Sequence, residues 1–412
     1  MMAKRNIIVG QSGGPTAVIN SSLAGVYKTA IERGFDTVYG MLHGIQGFLD
    51  EQYVDLSTQI HSDMDIELLK RTPSAFLGSC RYKLPEIHED MEIYEKIFDI
   101  LDKLEIEVFI YIGGNDSMDT IKKLSDYAIV KGHSQKFLGV PKTIDNDLAL
   151  TDHTPGFGSA AKYIAASTKE VIRDALGLAY KKDMVTIIEI MGRNAGWLTG
   201  ATALAKTEEC EGPDLIYLPE VTFDIDKFCE KIKELLKVKQ SIVVAVSEGI
   251  KVADGRYVCE LSGGGDYVDP FGHKQLAGTA AYLANFLGAQ IGCKTRAIEF
   301  STLQRSASHM ASRVDIDEAF MVGGAAVKAA DEGDTGKMVV IDRLSDDPYM
   351  GTAGIYDVHK IANNEKLVPR EWMNEDGTYV TDQFVKYIEP LIQGDYTPFM
   401  VNGLPQHLVL KK

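Results

Sequence analysis

Short apolar, β-branched runs alternate with longer stretches of helical spacing along most of this chain. Ile7–Gly10, Val108–Gly113, Phe137–Val140, Val185–Ile190 and Ile242–Val246 are nearly continuous hydrophobic runs, the pattern of strands buried on both faces of a parallel sheet. Between them Ala17–Arg33, Glu86–Lys103, Asp116–Lys131, Ser159–Leu176 and Asp224–Lys237 repeat their apolar positions at helical intervals. Such alternation predicts an α/β architecture with right-handed crossovers. In that architecture ligands bind beyond the carboxyl ends of the strands, and the unusual residues of this sequence follow the strands. After the turn-rich Asp331–Gly336 break, Lys337–Ile341 reads as another strand. From about Leu367 the pattern loses regularity. No low-complexity tract or short internal repeat is evident.

The length of 412 residues exceeds what one core usually holds, which predicts two domains. No stretch approaches the roughly 20 apolar residues of a membrane span. Met1–Asn6 leads straight into Ile7–Gly10, so the start reads as a first strand and not as a signal peptide. The five cysteines are scattered and the nine histidines show no metal-binding spacing, which predicts reduced, mostly buried thiols. A cytoplasmic setting is expected. The formal net charge of −16 argues against nucleic acid as a partner. It also repels phosphates, so a phosphate ligand would need a local cluster of Arg, Lys and backbone N–H groups.

Such clusters occur at the strand ends. Gly10–Thr16 (GQSGGPT) follows the first strand, and Gly13 and Gly14 let backbone N–H groups approach an anion at a helix start; a tight strand-to-helix turn is the other reading. Gly113–Ser117 (GGNDS) suits a cation or phosphate oxygen, or helix capping alone. Pro141–Asp147 (PKTIDND), if extended, puts Thr143, Asp145 and Asp147 on one face. One carboxylate can then accept a hydroxyl proton while the other holds Mg²⁺; a solvated turn is the bland alternative. Arg193 in Met191–Gly196 is placed to fork onto phosphate or to make a surface ion pair. Glu248, Arg296 and Thr302–Arg305 add a carboxylate and two cations.

In this order, over residues 5 to 345, these motifs resemble the phosphofructokinase family. The resemblance implies two similar three-layer α/β/α domains with mainly parallel sheets and an active site in the cleft between them. The expected division is a donor domain of 1–156 plus about 305–355, and a sugar-phosphate domain of about 157–304 plus about 356–412. It implies that Asp145 deprotonates the sugar 1-hydroxyl, that Thr143 and Arg193 steady the transferring phosphoryl group, and that Asp147, with Asn115, holds Mg²⁺. Gly13, Gly14, Arg81, Ser117 and Lys142 would line the donor site. Met191, Gly192, Arg193, Glu248, Arg296, Thr302 and Arg305, together with Thr143 and Asp145, would meet fructose 6-phosphate. Some of these contacts come from a neighbouring subunit in the family, which implies a homodimer or homotetramer.

Donor choice turns on Asp116 and Lys142, where ATP-using members carry glycine. A carboxylate at 116 obstructs a nucleotide's α-phosphate, and a cation at 142 favours compact pyrophosphate. The resemblance therefore implies a reversible, pyrophosphate-dependent transfer in glycolysis or gluconeogenesis. ATP-dependent transfer and a non-catalytic sugar-phosphate sensor are the alternatives. The chain departs from the family at Asn115, which stands for a metal-binding Asp, at Thr302 for a His, and at Met184 for an Arg. A longer sugar phosphate such as sedoheptulose 7-phosphate stays open on that account. Ala24 replaces an effector-binding Arg, which implies weak or absent nucleotide allostery.

Overall fold

In the computed structural model, which describes residues 5–262 and 276–411, the chain divides into two units. The first comprises Met1–Ser159, Arg305–Glu365 and Gln393–Lys412; the second comprises Ala160–Gln304 and Lys366–Ile392. The first unit opens with β1 (Asn6–Gln11), β2 (Thr37–Met41), β3 (Tyr53–Asp55), β4 (Ile106–Gly113) and β5 (Lys136–Pro141). The second contributes β6 (Met184–Ile190), β7 (Leu215–Tyr217), β8 (Ser241–Ser247) and β9 (Lys294–Glu299). The chain then returns to the first unit with β10 (Lys337–Asp346) and β11 (Tyr349–Asp357).

The first unit's sheet has the order β11-β10-β5-β4-β1-β2-β3. Its five central strands are parallel, and β11 and β3 join antiparallel at the two edges. Alternate residues feed two cores, as a pleated sheet covered on both faces requires. Ile7, Val9, Val108, Ile110 and Leu138 pack with the helix Ile19–Glu32. Ile8, Phe109, Tyr111 and Phe137 pack with the helices Met91–Lys103 and Asn115–Lys131. The chain leaves β1 toward β2 on one side and β4 toward β5 on the other, so their crossover helices lie on opposite faces. The strand order reverses between β1 and β4, and in open α/β sheets that crevice receives ligands. The loops 12–18 and 113–117 both open onto it.

Two expected boundaries are corrected. The helix forecast from Glu86 begins at Met91, because the Asp90 side chain caps it by accepting from Ile93 N–H and the preceding residues form a turn with Glu86 N–H donating to Glu89. Residues 356–365 and 393–411, expected with the sugar-phosphate domain, stay with the first unit. β11 completes the first sheet, Val358 and Ile361 are buried in its core, and the tail stacks Tyr396 and Phe399 on the Arg71 guanidinium.

In the second unit four parallel strands run in the order β7-β8-β6-β9. Val185, Ile187, Val244 and Val246 share a core with the helices Ile225–Leu236 and Thr279–Ile291. Trp197 stacks on Phe384 beside Trp372 and Tyr387, anchoring the 366–392 return. All five cysteines are free thiols, four of them buried. Among the described residues no helix is long and apolar enough to cross a membrane.

Candidate active site

The loop after β1 is bent by Gly13, whose φ of 76° lies in the left-handed region that favours glycine. It is held by Ser12 N–H to the Ile112 carbonyl and Gly13 N–H to the Cys80 carbonyl, at 2.9 and 3.0 Å. The Ser79 hydroxyl donates to the Gly13 carbonyl at 2.6 Å. A Cβ on Gly14 would stand 3.1 Å from Arg305 Nη1, and one on Gly13 3.2 Å from Lys142 Nζ. Glycine here leaves the backbone open to two cations. After β4, Gly113 is required by packing: a Cβ there would lie 1.9 Å from the Ser117 hydroxyl. The helix Asn115–Lys131 starts without a side-chain cap, and Asp116 sits in its first turn. The capping reading of Asn115, Asp116 and Ser117 therefore fails.

Lys142 joins the two loops. Its N–H donates to the Gly113 carbonyl at 3.0 Å, and its ammonium donates to the Gly14 carbonyl at 2.8 Å. The residue is only 3% exposed. Burial pushes its pKa down to about 8; Arg305 and Arg81 push the same way, and Asp145 and Asp147 oppose them. Arg305, expected with the sugar residues, lies in the first unit beside Gly14 and Lys142. Arg81 is exposed, while Ser117 is buried against Gly113.

The extended conformation expected for Pro141–Asp147 holds only to Thr143. Asp145 N–H turns back onto the Thr143 hydroxyl at 3.0 Å, and Asn146 is left-handed with φ 55°. Burial nevertheless alternates as foreseen: Thr143, Asp145 and Asp147 are partly exposed, while Lys142, Ile144 and Asn146 are buried. Burial raises the Asp147 pKa, and the charges of Asp145 and Glu365 raise it further. A backbone hydrogen bond and the Lys142 charge offset this only in part, which leaves the carboxylate fit to receive a cation. The Asn115 Oδ1 atom is buried without a hydrogen-bond partner, an acceptor whose desolvation is otherwise unrepaid. Among the described residues no three His, Cys, Asp or Glu side chains gather as a metal cage. One carboxylate, one amide oxygen and substrate phosphates are a donor set that suits Mg²⁺.

In the second unit the candidates again follow strands. After β6, Gly192 has φ 131°, and a Cβ there would meet the Ala195 carbonyl at 2.6 Å. Gly192 N–H donates to Glu248 Oε1 at 3.3 Å, and its carbonyl accepts from the Ser247 hydroxyl at 2.5 Å. Met191 N–H donates to Gln304 Oε1 at 3.2 Å. The loops after β6, β8 and β9 thus meet at Met191, Gly192, Glu248 and Gln304. Gly249 packs its Cα against the Arg193 backbone: a Cβ would lie 1.9 Å from that carbonyl. Thr302 is exposed. Arg296 stands apart in the body of edge strand β9, paired with Asp174 at 2.8 Å.

Four contributors were given no role by sequence reading. Glu365 raises the Asp147 pKa from a loop bridged to Leu148. Cys80 and Ser79 brace Gly13 from a segment with no regular pattern, and Gln304 ties down Met191. Only Gln304, inside the Thr302–Arg305 segment already singled out, carried a local signal.

Glycine loops, a desolvated lysine and clustered carboxylates at strand ends are the equipment of a phosphotransferase, and the chain belongs to the phosphofructokinase family, whose model, described as Phosphofructokinase, matches residues 6–330. It is 41% identical over 414 residues to a pyrophosphate–fructose 6-phosphate 1-phosphotransferase of Halomonas elongata, covering 100% of this chain and 97% of the relative. A Xanthomonas campestris protein of the same name is 41% identical over 411 residues, covering 100% and 97%. The crystal structure of a pyrophosphate-dependent phosphofructokinase from Nitrosospira multiformis superposes with a TM-score of 0.89 at 37% identity, covering 99% of this chain and 98% of that one.

Proposed function

We infer that this enzyme transfers a phosphoryl group from pyrophosphate to the 1-hydroxyl of fructose 6-phosphate, giving fructose 1,6-bisphosphate and phosphate, in a reversible reaction. The observation that carries the donor assignment is Lys142, a buried ammonium aimed at the Gly14 carbonyl between the two glycine loops. Its charge suits a small polyanion, and Asp116 in the first helical turn opposes the α-phosphate of a nucleotide. A unit charge pair at 4 Å is worth about 4 kcal/mol at an effective dielectric of 20, enough to select a donor before desolvation is counted.

The residues divide the work. Gly13, Gly14, Arg81, Ser117 and Lys142 bind pyrophosphate. Asp145 takes the proton of the 1-hydroxyl as that oxygen bonds to phosphorus and the bridging P–O bond breaks, releasing phosphate. Thr143 and Arg193 steady the transferring group. Met191, Gly192, Glu248 and Thr302 bind the sugar phosphate, and Arg305, beside Gly14 and Lys142, adds its charge to the pyrophosphate group. Arg296, on an edge strand, serves the sugar phosphate of a neighbouring subunit in a homodimer or homotetramer. Asp147 and Asn115 would hold Mg²⁺, which when bound would supply neutralisation of phosphate charge, most of what phosphoryl transfer needs. Reduced thiols suit a cytoplasmic setting.

The test is purified protein with fructose 6-phosphate and Mg²⁺, comparing pyrophosphate with ATP and following fructose 1,6-bisphosphate. Turnover with pyrophosphate alone is expected, and Asp145→Ala lowers kcat by a factor on the order of 10³. Equal use of ATP, or full turnover by the variant, overturns the reading.

A further inference from the structure

Next to the Thr143–Asp147 segment in sequence lies a buried charge cluster that the chemistry above leaves unused. His153 Nδ1 is 2.7 Å from Asp152 Oδ2, and its Nε2 is 2.6 Å from Glu318 Oε2. A neutral imidazole has a single N–H, so one of these contacts would set a lone pair against a carboxylate; the imidazolium satisfies both. Glu318 also accepts from the Tyr349 hydroxyl at 2.6 Å. Asp152 accepts from Arg343 Nε and Nη2 at 3.0 and 2.9 Å, and the Arg343 guanidinium lies 5.2 Å from the Tyr349 ring centre.

The elements packed around His153 are its own segment, the helix Arg313–Asp331, β10 and β11. Their ionisable groups facing it are Asp152, Glu318, Arg343, Tyr349 and Asp315. Burial raises the Asp315 pKa, and that side chain accepts from Gly156 and Ser159 N–H at 2.8 Å each. Asp152 and Glu318 meet one guanidinium, Arg343, and one ring, and a proton on both ring nitrogens is what lets the ring donate to both carboxylates. The ring does keep it: although burial lowers its pKa, the Glu318 and Asp152 carboxylates raise it to about 9.

The same segment grips the reacting residues. Thr143 N–H donates to the Pro155 carbonyl at 3.3 Å, and the Thr154 hydroxyl donates to the Thr143 carbonyl at 2.8 Å. Asp145 hangs from the Thr143 hydroxyl. On the far side, the Thr151 hydroxyl donates to the His153 carbonyl and accepts from Ile341 N–H, at 2.8 and 2.9 Å, tying the segment to β10.

We propose that His153, clamped as an imidazolium between Asp152 and Glu318, is a positioning residue that fixes the 151–156 strap and thereby sets Thr143 and Asp145 for phosphoryl transfer. This rests on the phosphotransferase reading, and the test separates the two. The wild type, His153→Gln, Glu318→Gln and Tyr349→Phe are compared with pyrophosphate and fructose 6-phosphate across pH 6–10, with circular dichroism to confirm folding. Because small misplacements of reacting groups cost about 10²-fold, His153→Gln lowers kcat about tenfold or more while both KM values stay within about twofold. Glu318→Gln moves the alkaline limb of kcat toward neutrality by about one pH unit, since one stabilising carboxylate is gone. Should His153→Gln not fold, Tyr349→Phe decides, with a kcat about threefold lower at unchanged KM. No pyrophosphate turnover by the wild type sinks the functional reading. Normal wild-type turnover sinks the positioning proposal if kcat is unchanged in a folded variant, or if the alkaline limb stays in place in Glu318→Gln.

Discussion

Pyrophosphate binding should track the proton on Lys142. Burial favours the neutral amine in the free enzyme and brings the pKa down to about 8. An arriving polyanion favours the ammonium and draws the proton back. The lysine is about nine-tenths charged at pH 7 and about one-tenth charged at pH 9, so affinity falls about tenfold across that interval, or about 1.4 kcal/mol. The sign is fixed by the depressed value: binding is at full strength below pH 8 and lost above it. At pH 8 each binding event should take up about half a proton. Isothermal titration calorimetry in buffers of different ionisation enthalpy measures this directly, once proton exchange by pyrophosphate itself is subtracted. Lys142→Met keeps the volume, removes the charge-assisted contact worth about 1.5–3 kcal/mol, and should lack both the uptake and the pH step. A wild-type affinity flat from pH 7 to 9 refutes the reasoning, as does an identical step in the methionine variant.

Asp147 is held above the ordinary carboxylate range by burial and by the charges of Asp145 and Glu365, so its ionised form strains the metal-free protein at neutral pH and relaxes as pH falls. Asp147→Asn should therefore melt at higher temperature without Mg²⁺, by about 1 kcal/mol or more of stability, yet lose activity and the thermal shift that Mg²⁺ gives the wild type; thermal melts with and without the ion check both. Replacing Asp116 and Lys142 together by Gly should relax donor selection, read as a rise in the ratio of ATP to pyrophosphate kcat/KM.

The buried parallel strands were legible because nothing but burial on both faces explains runs such as Val108–Gly113. Their neighbours were not. β9 reads Lys294-Thr-Arg-Ala-Ile-Glu299 and is half-exposed at a sheet edge, where packing does not demand an apolar run. β11, its apolar positions interrupted by Gly351 and Gly354, is likewise an edge strand fixed by its hairpin with β10. The residue types at the candidate site were readable since they follow strands, and the in–out alternation of Thr143, Asp145 and Asp147 survived although the extended backbone assumed for it did not. The clamp on His153 was invisible. Its partners Glu318, Arg343 and Tyr349 are distant in sequence, and only the fold makes them neighbours.

The seven-stranded sheet also carries a cost during biosynthesis. β5 finds its outer partner in β10, and roughly 200 residues of chain must be made between them. At about 5–20 residues per second, the ribosome leaves that edge, with Phe137, Leu138 and Val140 along it, uncovered for about 10–40 s. A nascent chain in that state offers a ready template for pairing with another like it. Yield in a cell should accordingly depend on trigger-type chaperones and on growth temperature far more than the stability of the finished enzyme suggests.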